Sequence, residues 1–161
     1  FTGKFSYRIK TVYDLENPKR FDFRDFKFAV LVSSPGIILH ELAHKFVAIV
    51  YGLNATFHMF PFGLAIGVVL KLISSPFVLI APGYVSIPPI NDPVGYRLIA
   101  FAGPFVNLAL WLGSMIILKK AKLNRKQMVA LTLTETINMI LFFFNMIPFG
   151  PLDVGKVLFG P

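Results

Sequence analysis

Residues 28–51 read FAVLVSSPGIILHELAHKFVAIVY, and this stretch decides the fold. It has the length and apolarity of a membrane helix, which needs ~20 apolar residues to cross ~30 Å of hydrocarbon. Yet it carries Pro35-Gly36 and, within the span, His40, Glu41, His44 and Lys45. Ionisable groups are costly there and default to a functional role. Residues 40–44 form the pattern His-Glu-x-x-His. On a helix the two histidines lie about 40° apart around the axis and roughly 6 Å along it. Both imidazoles can therefore reach one Zn2+, while Glu41 beside them can take a proton from a water on that ion.

The rest of the chain agrees with a membrane setting. Of 161 residues, 55% are hydrophobic and only 15% charged, with eighteen phenylalanines and a mean hydropathy of +0.68. A soluble domain is nearer a quarter charged, and so small a core could not hide this much apolar surface, so lipid must solvate much of it. An ordinary cytosolic enzyme, a disordered linker and a collagen-like rod are excluded. Without cysteine there is no disulfide framework, thiolate nucleophile or cysteine-ligated zinc. The excess of 16 basic over 8 acidic residues reads as orientation across a bilayer rather than nucleic-acid binding.

Outward from the first span, residues 1–27 hold seven Lys/Arg and four Asp/Glu and form an interfacial or aqueous segment. Phe5, Tyr7 and Ile9 alternate with polar residues there, as in a strand, and nothing resembles a cleavable signal peptide. Residues 53–94 are apolar but broken by six prolines, with Gly63, Gly67 and Gly83 between them. These residues disfavour continuous helix; short strands or a re-entrant hairpin are expected. Residues 98–118 form a second span with no charge, and 127–161 hold a third helix (127–147) followed by a broken segment at Pro148, Gly150 and Pro151. The expected fold is mainly α: one multi-pass unit of about three transmembrane helices, with a strand or re-entrant region between the first and second.

Two histidines and a base do not complete a catalytic zinc site, which takes a third protein ligand and an open position. His58 stands alone in an aromatic-rich stretch and reads as interfacial. Asp153 follows the helix-breaking prolines, where a carboxylate can point into a cavity, although it could instead serve as a helix N-cap. Glu135, within the third span, is the rival; it lies about 13.5 Å along the helix from Lys126, near enough to the boundary for a pair or a snorkelled contact. A carboxylate would offset the dication's charge in a low-dielectric site.

These features, taken in order, resemble the site-2 protease family of intramembrane zinc metalloproteases. The resemblance rests on His40-Glu41-x-x-His44, on Ala102-Gly103-Pro104-x-x-Asn107, and on Asn145-x-x-Pro148-x-x-x-Leu152-Asp153. Tyr51-Gly52 and Phe60-Pro61-Phe62-Gly63 resemble the strand region that follows the family's zinc-binding helix, and the whole resemblance covers about residues 28–159. It implies zinc, one per chain, on His40, His44 and Asp153, with Glu41 as general base and Asn145 beside the site to stabilise an oxyanion or hold a substrate strand. Asn107 is the weaker element, a polar residue at a helix opening that would make only a helix–helix hydrogen bond. The family usually has glycine directly after the ligating aspartate, where this chain has Val154.

The function expected is hydrolysis of peptide bonds in transmembrane or membrane-anchored proteins, by an integral multi-pass protein in the lipid bilayer. Its rivals are an inactive relative that binds transmembrane helices and a metal transporter, which would also place His and Asp at mid-membrane. On orientation, the charge rule puts both residues 1–27 and the loop 119–126, with five basic residues and no acid, in the cytoplasm. The resemblance implies the opposite placement for that loop.

Overall fold

The computed structural model describes residues 23–59, 83–86 and 92–147, together with Asp153. The fold is mainly helical, with three helices long and apolar enough to cross a membrane. The period-2 pattern of residues 5–9, the prolines at 148 and 151 and most of 53–94 lie outside the described residues.

Helix α1 spans Phe23–Val50, beginning five residues before the apolar run itself. Pro35 lies inside it and cannot donate to the carbonyl one turn back. In the turn before it the hydroxyls of Ser33 and Ser34 donate to the carbonyls of Ala29 and Val30, keeping these polar side chains satisfied within the helix. The helix stops at Gly52, whose φ of 73° is the left-handed geometry glycine adopts without a Cβ penalty. Gly52 N–H donates to Ile49 and Leu53 N–H to Ala48, at 2.8 and 3.0 Å, which is the Schellman pattern.

Strands β1 (Thr56–Met59) and β2 (Gly83–Ser86) form an antiparallel pair, with Thr56 opposite Ser86 and Met59 opposite Gly83. They lie between the first and second spans, in the region where short strands or a re-entrant hairpin are expected.

Helix α2 spans Pro93–Lys120 and α3 spans Arg125–Asn145, both reaching past their expected starts because of capping. The Asp92 side chain accepts from Val94 N–H at 3.0 Å, with Pro93 at the first helical position, where its missing N–H costs nothing. Asn124 and Gln127 exchange side chain–backbone bonds of 2.9 and 3.0 Å in a capping box. The turn between the two helices is short, so they pack antiparallel, and theirs is the most extensive helix–helix contact described.

The distribution of polarity is the reverse of a soluble protein's. His40, His44, Asn107, Ser114, Asn138 and Asp153 are buried, whereas Leu31, Ile38, Phe46, Phe105 and Phe143 are exposed. Polar groups between helices and apolar ones outside are what lipid as solvent selects.

Candidate metal centre

Helices α1 and α2 run antiparallel. Their contacts step from His40 against Asn107 to His44 against Ile99, one chain rising while the other falls. The spacing of His40 and His44 puts both rings on the face of α1 that meets α2. Their rings are in edge contact, with centroids 4.7 Å apart.

Three donor atoms converge there. His40 Nε2 lies 3.1 Å from His44 Nε2, and Asp153 Oδ2 is 3.1 Å from the first and 3.3 Å from the second. All three residues are buried. Donors around a tetrahedral Zn2+, bound at ~2.0–2.1 Å, stand about 3.3–3.4 Å apart. The observed triangle is thus close in size to one face of such a tetrahedron, leaving the fourth corner for water or substrate. His44 supplies a second indication of fit. Its Nδ1 is 2.7 Å from the carbonyl of Ile99, which can only accept. Nδ1 therefore carries the ring proton, and in the neutral ring the Nε2 lone pair faces the triangle. Two imidazoles and a carboxylate suit zinc better than Mg2+ or Ca2+.

The second helix comes close enough to form the wall of this site. A Cβ at Gly103 would fall on His44 Nε2 and lie 2.6 and 2.7 Å from His40 Cε1 and Nε2. Only a residue with no side chain leaves the donors room. Asn107, one turn further on, brings its amide to 2.9 Å from His40 Nδ1. The sequence reading gave Gly103 only as part of a motif and Asn107 only a helix–helix hydrogen bond, without its partner. Their spacing of four residues, which puts both on one helix face, was the available signal.

The remaining candidates fall as follows. Glu41 is half-buried on α1, directly after His40. Glu135 is half-buried on α3 and is not among the converging donors, which are His40, His44 and Asp153. Asp153 has helical backbone and is buried. His58 is exposed on β1. Asn145 closes α3, and its amide Nδ2 donates to the Leu141 carbonyl at 3.0 Å, turned back onto its own helix.

Comparison with known proteins bears on the identity of this centre. A Methanocaldococcus jannaschii protein named "Putative zinc metalloprotease" is 35% identical over 144 residues, covering 86% of this chain and 75% of the relative. A Synechocystis protein of the same designation is 31% identical over 123 residues, 76% of this chain but 28% of that longer relative. No protein-family model and no solved structure matches the chain. The match to the archaeal relative extends over most of both proteins, and the chain belongs to this zinc metalloprotease family.

Proposed function

We propose that the chain is an intramembrane zinc endopeptidase of the site-2 protease type, cutting transmembrane or membrane-anchored proteins. The observation that carries this reading is the convergence of His40, His44 and Asp153 between helices long and apolar enough to span a bilayer.

In this reading His40, His44 and Asp153 hold one zinc. When bound, it supplies a Lewis acid for the scissile carbonyl and a water acidic enough to lose a proton near pH ~7. Glu41 receives that proton and passes it to the leaving amine. Ile99 keeps His44 in the tautomer that presents Nε2. Asn145 steadies the oxyanion or the substrate strand by exchanging its bond to Leu141 for one to substrate. Helix hydrogen bonds shield peptide carbonyls, so the substrate must unwind near the cut. Beside the strand pair β1–β2 an extended segment could add as a further strand.

The test is incubation of the purified full chain with a model membrane helix, comparing unchanged protein, Glu41→Gln and a zinc-chelated sample. Cleavage by the first alone is expected. Zinc bound without cleavage identifies a helix-binding relative, and zinc flux through sealed vesicles identifies a transporter; either overturns the proposal.

A further inference from the structure

Asn107 has no part in the chemistry above, yet it is fully buried at 0% exposure and touches a candidate ligand. Its Nδ2 lies 2.9 Å from His40 Nδ1, and its Oδ1 has no hydrogen-bond partner among the described residues. The two ends of an amide are alike in size and exchange places by a half-turn about one bond. As placed, Oδ1 has no partner among the described residues to hold the amide in that orientation, so the imidazole decides between the two. With N–H facing the ring, Nδ1 must accept. The neutral ring then carries its proton on Nε2, pointing at Asp153 Oδ2 and His44 Nε2, where a cation is to be bound. With Oδ1 facing the ring, Nδ1–H donates and Nε2 turns a lone pair into the triangle. Only the second arrangement lets all three donors serve one metal.

We infer that Asn107 is a positioning residue for His40, its Oδ1 accepting the Nδ1 proton and so holding the ring in its ligating tautomer. It is the counterpart on α2 of the Ile99 carbonyl that does this for His44. The two supports lie eight residues apart on α2, flanking Gly103, so one helix presents both acceptors and the gap between them. The inference rests on reading His40, His44 and Asp153 as the metal ligands. A tether between α1 and α2 is the rival role, and it would stabilise the bundle without altering metal affinity.

The experiment measures zinc affinity of the full chain in detergent by competition with a chelating dye. It compares unchanged protein, Asn107→Leu, Asn107→Asp and His44→Ala, recording thermal unfolding of each metal-free form. Asn107→Leu, similar in size but without an acceptor, should bind zinc ~10–100-fold more weakly, the usual scale for loss of a ligand's outer partner. Asn107→Asp, which keeps an accepting oxygen, should recover most of that loss. Unchanged zinc affinity in Asn107→Leu, with only its melting temperature lowered, overturns the inference in favour of the tether. A second measurement needs no variant: the 15N spectrum of histidine-labelled, zinc-loaded protein should place the His40 proton on Nδ1, and a proton on Nε2 overturns the inference. If His44→Ala binds zinc as tightly as the unchanged protein, the ligand set itself is wrong and the role of Asn107 falls with it.

Discussion

At the scale of single residues, the three converging donors and the base make separable predictions. His40→Ala, His44→Ala and Asp153→Ala should each lose most bound zinc and all cleavage, whereas Glu135→Gln should keep most of both. Metal analysis of the purified variants decides this, and a zinc-free Glu135→Gln beside a loaded Asp153→Ala would reverse the assignment. Glu41→Gln keeps shape and polarity but removes the base, so zinc should remain while turnover falls by ~10² or more; normal turnover would show that the proton goes elsewhere. The histidine pair was legible in the sequence because a helix fixes the relation of residues four apart. Asp153 was legible through the broken segment before it and the resemblance. The Asn107 contact with His40 was not, because it depends on how far α2 slides along α1, which neither helix's own periodicity records.

Among the elements, α2 carries the sharpest consequence. Gly103→Ala places a methyl group on the imidazoles and should displace zinc and abolish activity. Gly113→Ala on the same helix has open space at that position and should be neutral or slightly stabilising, since alanine favours helix over glycine by ~1 kcal/mol. Equal zinc content in the two variants would show that α2 does not wall the site. Gly36 plays the corresponding part between α1 and α3, where an added Cβ would lie 2.7 Å from Asn138 Oδ1. Gly36→Ala should lower stability by about 1–3 kcal/mol, with partial recovery in the double variant with Asn138→Ala; thermal unfolding in detergent measures both. The apolar runs located all three helices, but their ends were set by Asp92-Pro93, by the Asn124–Gln127 box and by Gly52. Such local backbone bonding leaves no trace in hydropathy, so the starts of α2 and α3 were placed too late.

For the molecule as a whole, the antiparallel course of α1, α2 and α3 puts the beginning of α1 and the turn between α2 and α3 at one end of the bundle. The second of these regions is strongly basic, with Lys119, Lys120, Lys122, Arg125 and Lys126 and no acid, while the first holds Arg24 and Lys27 around Asp25. The charge rule alone puts both regions on one side, while the resemblance implies the opposite placement for the loop; the antiparallel helices set the start of α1 and that loop at one end. With the positive charge gathered there, the charge rule expects that end in the cytoplasm. A single cysteine introduced at Asn124, in a chain that has none, should be labelled from the cytoplasmic face by a membrane-impermeant reagent. Labelling from the opposite face alone would reverse the orientation.

The two supports on α2 differ in kind, and that difference bears on how the centre can change by mutation. Ile99 holds His44 through its main-chain carbonyl, which every amino acid possesses, so exchanging the residue at 99 leaves that acceptor in the chain. Asn107 touches His40 through its side chain, which a single codon change can lengthen, shorten or charge. Variation reaches the surroundings of one imidazole and is largely barred from those of the other. Selection or an engineer seeking a different metal preference without altering a ligand would therefore find position 107 the accessible place to begin.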